Sequence, residues 1–394
     1  MAEARRRRDR ILLSDYAGHG FTTELAIALR HKRGLDITYA YCSTVTSPKG
    51  RVEAADRSIA VPSGSSFEKY RPWRRLMSEL RYGINTVKVM RRVRPTTHVV
   101  CNMPLVSLLA MWVGGLLWRT RLVIWFQDAQ SGIAEAVLGR GIAARMIDGL
   151  EGFLLRRARR VLAISEELAR EAQRHRVRPQ SVVVFQNWAP IEQLPIVNRQ
   201  NPWSREHGTD AYPLTFMYAG TLGRKHRADM LVDLARALEP HRGHVVVVSE
   251  GEGATWLSEH KARVDALHNL TVLPYQPFSR LAEVLGSADV LVVLLEPNAG
   301  QFSVPSKTLS YLCAGRPVLA AMASTNTAAK VLQERACAGL VVEPGDADAF
   351  GAAALRLAED PALRARLGTN GRAYAEAHFE LDQILDRFVA AIAS

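Results

Sequence analysis

The sequence predicts an α/β protein of two doubly wound domains that face each other across a cleft. Three observations carry this. The chain has 394 residues, more than one ordinary core accommodates. Short apolar runs alternate with longer segments of helical periodicity, once through each half. A stretch with three prolines, NWAPIEQLPIVNRQNPW at 187–203, breaks the alternation near the middle. Repeated strand–helix units imply parallel sheets covered on both faces, with ligands held at the carboxyl ends of the strands.

In the first half, strands are predicted at 11–14, 36–41, 98–102, 122–126, 161–164 and 182–185. The helices between them fall at 22–31, 72–93, 105–118, 143–159 and 166–175. In the second half, strands are predicted at 214–219, 244–249, 271–274, 290–294, 317–321 and 339–342. Helices follow at 228–238, 254–265, 279–285, 307–314, 347–359, 361–377 and 381–392.

Composition narrows the class. A 48% hydrophobic content is that of a globular enzyme and excludes general disorder. Cys42, Cys101, Cys313 and Cys337 lie in or beside apolar runs without CxxC spacing, which reads as reduced, buried thiols of a cytoplasmic protein. The basic opening MAEARRRRDR is followed by too short an apolar run for a secretory leader. The most apolar segment, 104–118, falls short of the roughly 20 residues a membrane span needs. Charge is uneven. Residues 1–196 hold 32 Lys and Arg against 17 Asp and Glu, a net of +15, while 197–394 hold 19 against 22, a net of −3. The first half is therefore suited to an anionic partner.

The loops after the predicted strands carry the candidate chemistry. DYAGHGFTTE follows the first strand and places Gly18 and Gly20 around His19, where glycine lets the backbone approach a ligand closely. QDAQSG places Asp128 after the fourth strand, either at the ligand or as a cap of the next helix. AGTLGRKH places Gly220, Thr221, Arg224 and Lys225 after the first strand of the second half. EGEG follows with Gly251, and then Tyr275. Neither glycine pattern is a full dinucleotide fingerprint.

FSVPSKTLSYLCAGRPVLAAM, from Phe302 to Met322, reads as loop, helix and strand. Ser306 is placed as N-cap, Gly315 as C′ glycine, and Pro317 as a block to further helix. Lys307 beside open helix amides suits a phosphate, or it is an ordinary surface lysine at a helix start. Arg224, Lys225 and Lys307 converging at one sheet end suit a bound or departing diphosphate. Asp346 and Asp348 in GDADAF mimic a metal-binding D-x-D pair but sit where a helix cap is expected. No His, Cys or carboxylate cluster has metal-ligand spacing, so no metal is expected.

The run 69–94 carries nine basic residues and one acidic, Glu79, with Trp73, Leu76, Leu80, Ile84, Val87 and Met90 at helical spacing. It reads either as a core-packed helix with a basic outer face or as a surface resting on anionic lipid. No nucleic-acid module is recognisable, and nucleic acid is not an expected partner.

Taken together, FMYAGTLGRKH, VVVSEGEG, NLTVLPYQPFSRLAEVLGSADVLVVLL, VPSKTLSYLCAGRPVLA and the segment 339–379 give a specific resemblance. With GHG, VIWFQD and VVVFQNW in the first half, the chain resembles the family-4 retaining glycosyltransferases of the GT-B fold. The likeness is greatest to the branch that builds colanic acid, capsule and O-antigen polysaccharides.

The resemblance implies two Rossmann-like domains, an acceptor domain over 1–195 and a nucleotide-sugar domain over 196–375. A final helix over 376–394 would pack back on the first. It implies no cofactor and no metal, a nucleoside-diphosphate-sugar donor, a saccharide or polyprenyl-linked saccharide acceptor, and a cytoplasmic site peripheral to the membrane. Lys225, with Arg224 beside it, matches the basic position at the donor diphosphate. Ser303, Val304, Pro305, Ser306, Lys307 and Thr308 match the loop that holds donor phosphates and sugar. Gly220, Thr221 and Gly251 lie in the matching donor loops, Tyr275 near the base, and Gly18 and Gly20 over the phosphates. Asp128 or His19 would orient the acceptor. Much of the family has two glutamates eight residues apart, and those positions here are Phe302 and Ser310. Ser310 replaces a ribose-binding carboxylate, so an inactive transferase-like scaffold is the alternative. A sugar-nucleotide epimerase shares the fold but not the motifs.

Overall fold

The computed structural model describes residues 9–44, 57–64, 72–223, 226–263, 267–296 and 305–393. The chain divides into two units, residues 1–187 with 381–394 and residues 188–380.

In the first unit, β1 (Arg10–Asp15), α1 (Gly20–Arg33), β2 (Asp36–Cys42) and β3 (Ser58–Val61) lead into α2 (Pro72–Val93). Then come β4 (Thr97–Cys101), α3 (Leu105–Trp118), β5 (Arg121–Phe126), α4 (Gln130–Leu138) and α5 (Ile142–Arg157). β6 (Arg160–Ala163), α6 (Glu166–Arg174) and β7 (Val182–Val184) complete it. The sheet order is β3-β2-β1-β4-β5-β6-β7, parallel throughout the described strands. β1 is an interior strand, so Ile11 to Asp15 are all buried, and Ile11 to Leu13 read as an apolar run rather than an alternation.

In the second unit, a short helix α7 (Pro202–Glu206) precedes β8 (Leu214–Ala219), α8 (Asp229–Leu238), β9 (Gly243–Val248), α9 (Glu252–Arg263) and β10 (Leu270–Leu273). α10 (Leu281–Gly286), β11 (Val290–Leu294), α11 (Lys307–Cys313), β12 (Val318–Ala321), α12 (Thr327–Lys330) and β13 (Gly339–Val342) follow. α13 (Ala347–Glu359) and α14 (Pro361–His378) close the unit. Its sheet order is β10-β9-β8-β11-β12-β13. Each sheet reverses direction beside its first strand, between β1 and β4 and between β8 and β11. A crevice for ligand opens at such a point, outside the carboxyl ends of the strands.

The last helix, α15 (Leu381–Ala393), belongs to the first unit. Phe388 packs on Phe185 and Trp125 with ring centroids 5.7 and 6.0 Å away. Lys32 and Arg33 of α1 reach Asp382 at 2.9 and 3.1 Å.

The structure corrects the core-packed reading of α2 in part. Trp73, Leu76 and Ile84 of the apolar stripe are exposed, at 76, 37 and 47%. The buried face is Ser78, Glu79, Tyr82, Gly83, Thr86, Val89 and Met90. Small residues set this face because α3 lies very close: a Cβ on Gly83 would stand 2.9 Å from the Ser107 Cα, and one on Gly114 2.8 Å from Val87. The thiols need one correction too, since Cys337 is exposed while the other three are buried.

Candidate active site

In the second unit the candidate residues gather at the carboxyl ends of β8 and β9 and the start of α11. Gly220 follows β8 with φ +132°, a conformation that favours glycine, and a Cβ there would stand 3.1 Å from the Lys307 Cε. The glycine thus makes room for the lysine. The Lys307 Nζ donates to the Tyr218 hydroxyl and lies 3.7 Å from the centre of that ring. The Tyr218 hydroxyl in turn donates to the Thr221 carbonyl at 2.7 Å. Burial raises the Tyr218 phenol well above its ordinary pKa, so it stays neutral beside the ammonium. The Tyr311 hydroxyl accepts from the Ala219 amide at 2.9 Å and donates to the Ala219 carbonyl at 3.0 Å, pinning α11 to the end of β8. Thr221 and Tyr275 share a hydroxyl–hydroxyl hydrogen bond.

Gly251 and Gly253 have a packing task. Their Cα hydrogens face the Leu222 carbonyl, which a Cβ would approach to 3.0 and 2.8 Å. This zips the loops after β8 and β9 together, with Gly253 donating to Leu222 at 2.8 Å and Leu222 to Glu250 at 3.2 Å. Arg224, Lys225, Ser303 and Val304 lie outside the described residues.

Ser306 does not cap α11 through its side chain. Its dihedrals are already helical, φ −58° and ψ −24°. The first turn closes tightly, Thr308 donating to Pro305 at 3.0 Å and Leu309 to Ser306 at 3.1 Å. Two of the amides expected to be open are therefore occupied. Gly315 holds φ +64° after the helix, as the sequence predicts. Ser310 is buried at 9% exposure. Thr308 is buried, and its hydroxyl has no partner among the described residues. Asp346 accepts from the Ala349 amide at 2.9 Å, the capping role expected for the D-x-D pair.

In the first unit, the residue that organises the glycine loop is one sequence reasoning passed over. Asp15 is wholly buried at the end of β1. It accepts from the amides of Ala17 (3.1 Å) and His19 (2.7 Å) and from the Thr22 hydroxyl (2.7 Å). The His19 Nδ1 lies 3.0 Å away. Burial pushes the Asp15 carboxyl up, but the His19 ring and these donors outweigh it and hold it below the usual carboxylate range. Gly18, at φ +66°, lets the loop curl over the carboxylate. Its signal in sequence was the polar Ser-Asp pair closing an apolar strand.

Asp128 follows β5 two residues beyond Phe126 and is partly buried. It lines a cavity with Asn102, Met103, Gln130 and Glu151. Cys101 stands between the two loops. Its sulfur accepts from Gln127 at 3.4 Å, and it lies within 4.8 Å of the Asp15 and His19 ligand atoms. The structure thus places His19 and Asp128 at the same sheet edge, at the ends of β1 and β5, which flank β4.

Glu151 is a second residue not foreseen. It accepts from the amides of Gln130 (2.8 Å) and Ser131 (3.1 Å), so the start of α4 is held by a buried carboxylate of α5. His175 stands 3.7 Å from it and 3.5 Å from Glu171. Gly152 admits the ring, since a Cβ there would fall 2.5 Å from its Nδ1. Burial disfavours the charged imidazole, but the two carboxylates outweigh it and raise His175 to about 9. A raised histidine contributes stability fully present below its unfolded pKa and lost as pH rises through the folded one. The unfolding free energy from urea titration should therefore fall between pH 7 and pH 10 by on the order of 2 kcal/mol, and His175→Gln should flatten that slope.

Residues 199–374 match the family described as glycosyl transferases group 1, and residues 18–188 match the glycosyl transferase 4-like domain. A curated relative, the probable glycosyltransferase WbjE of Pseudomonas aeruginosa, is 22% identical over 201 residues, 49% of this chain. The match spans about half of that relative's length, 48%. Among solved structures, Anabaena Alr3699/HepE in complex with UDP-glucose superposes with a TM-score of 0.75 at 15% identity, covering 98% of this chain and 99% of that one. Sucrose-phosphate synthase from Thermosynechococcus elongatus gives 0.76 at 15%, covering 98% of both chains. No helix of the described residues is long and apolar enough to cross a membrane. Each parallel-sheet unit is matched by one of these two glycosyl transferase domains, and the chain is a glycosyltransferase with the GT-B fold.

Proposed function

We propose that the chain transfers a sugar, with retained anomeric configuration, from a nucleoside-diphosphate-sugar to a hydroxyl of a lipid-linked saccharide in the building of a bacterial surface polysaccharide. The observation that carries this is the ammonium of Lys307, seated against Gly220 at the reversal point of the second sheet, with Thr221 and Tyr275 beside it. A fixed cation there suits the charge that develops on a departing diphosphate, and its pre-set position costs no reorganisation in the transition state. Lys225 and Arg224 supply further positive charge, and Tyr275 lies at the base. The acceptor hydroxyl attacks on the face the diphosphate leaves, and a phosphate oxygen takes its proton. His19, fixed by Asp15, and Asp128 orient the acceptor. Lysine charge takes the place of a metal in this scheme, and the Asp15 carboxylate is already engaged by the N–H and O–H donors of its own loop. That Anabaena HepE is described with UDP and UDP-glucose favours a uridine donor.

Calorimetric titration of UDP, GDP, dTDP and ADP into the protein tests the reading. One diphosphate, UDP first, is expected to bind with Kd of about 1 μM to 1 mM, the range of ordinary substrate constants. No binding by any of the four would remove the donor site, and the scaffold reading, favoured by Ser310 at the ribose position, would replace it.

A further inference from the structure

Two helical prongs rise past the carboxyl edge of the first sheet. The first amides of α4 meet Glu151, nine residues beyond Ile142 at the start of α5, so Ile142 to Leu150 run back along α4. Burial divides at the same point. Of residues 142–150 only Ala144 is buried, whereas Glu151, Gly152, Leu154 and Leu155 all are. At the helical rise, α4 carries its tip about 13 Å beyond the strand end. The start of α2 behaves alike: residues 73–77 are all exposed, and burial begins at Ser78. α3 lies between them, packed on α2 through Gly83 and Gly114 and on α5 through Trp112 and Phe153, whose ring centroids are 5.0 Å apart. Two helix spacings put the prongs about 16–20 Å apart, with Asn102 and Asp128 at the sheet edge between them.

The tips are apolar where water is expected. Val137, Leu138, Ile142 and Met146 are exposed at 76, 55, 78 and 70%, and Trp73 and Met77 at 76 and 47%. Side chains of this size, clustered and exposed, mark a surface that is covered in use. Charge identifies the cover. Residues 73–81 and 133–146 hold five arginines and two glutamates. A two-fold contact with a second copy would set this basic patch against itself, whereas lipid phosphates complement arginine while acyl chains receive the apolar tips.

We infer that these two prongs dock the first unit on an anionic lipid surface, with the notch that holds Asp128 turned toward the bilayer. The docking deepens the reading of a lipid-linked acceptor and rests on it for its purpose. Asp128 would then meet the acceptor at the headgroup level.

The test is co-sedimentation of the full chain with vesicles of equal parts phosphatidylcholine and phosphatidylglycerol, against phosphatidylcholine alone. The native chain should bind the anionic vesicles and lose them as salt is raised. A Leu138→Gln, Ile142→Gln double variant should partition at least about tenfold less, because burying two such side chains contributes more than the 1.4 kcal/mol that a factor of ten requires. Trp73→Gln should weaken binding in the same direction. Both variants should keep the native affinity for UDP. Undiminished partition of the double variant, or failure of the native chain on anionic vesicles at low salt, overturns the inference. So does a native dimer that the double variant renders monomeric, which would assign the face to a second copy. Vesicle binding without any nucleotide binding would sustain the docking and strike the transfer reading instead.

Discussion

Alanine at Lys307 is expected to reduce turnover by about two to three orders of magnitude, the loss typical of removing one preorganised charge stabiliser. The native structure invests several residues in placing this one group. Gly220 leaves it space, Tyr311 fixes the helix that carries it, and the neutral Tyr218 phenol accepts its hydrogen bond and lends its ring. An ammonium so held stands in a fixed place at the carboxyl end of β8. The variant should stay folded, because the cation–ring contact contributes only about 1–2 kcal/mol. Lys307→Arg should not rescue, since a planar fork does not fit the point-charge seat beside Gly220. The phosphate role given to Lys225 predicts a loss of the same order for Lys225→Ala. The measurement is kcat with the nucleotide-sugar that titration identifies, alongside calorimetric affinity for the matching diphosphate. Near-native kcat in either variant excludes that lysine from the diphosphate.

Much of this architecture is legible in sequence because both sheets are built from buried parallel strands, which appear as dense apolar runs. Twelve strands were predicted, and each has its observed counterpart within a residue or two. The omitted strand, β3, has four residues and sits at a sheet edge, too short to show a pattern. α4 was missed because QSGIAEAVL has no side-chain N-cap of its own; its cap is Glu151, distant in sequence. The apolar stripe of α2 is only partly a core face because close helix packing selected a glycine and hydroxyl face, leaving Trp73 and Ile84 outside. The glycine loops were visible, but not why they need glycine: Gly220 for the lysine, Gly251 and Gly253 for a carbonyl, Gly18 for a turn over a carboxylate. Cross-loop hydrogen bonds such as Asp15 to Thr22 leave no periodic trace, so the residue that shapes the first loop was not singled out.

That residue gives the second large effect. Asp15→Asn changes no volume yet should cost about 3 kcal/mol, because it turns an NH₂ group toward donors that a carboxylate accepts and leaves buried N–H and O–H groups unpaired. The amides of Ala17 and His19 and the hydroxyl of Thr22 all converge on its two oxygens. Since the native carboxyl titrates below its ordinary value, its contribution is present above the unfolded pKa of 3.8 and is lost as pH falls through the lower folded value. The variant should therefore be destabilised at pH 7 and should lack part of the native protein's acid-limb slope. The effect on chemistry separates a loop organiser from a mere core residue. If Asp15 positions His19 and the glycine turn at the ligand, kcat should fall at temperatures where the variant is fully folded, by about tenfold or more, the scale on which small misplacements act. A Thr22→Val variant, which removes one donor and leaves the carboxylate, should show the stability loss in smaller measure and retain more of the rate. Urea unfolding at pH 3 and pH 7, with kcat measured at pH 7 well below the midpoint, distinguishes the two. Full activity in folded Asp15→Asn would confine the residue to stability and release the loop from any part in transfer.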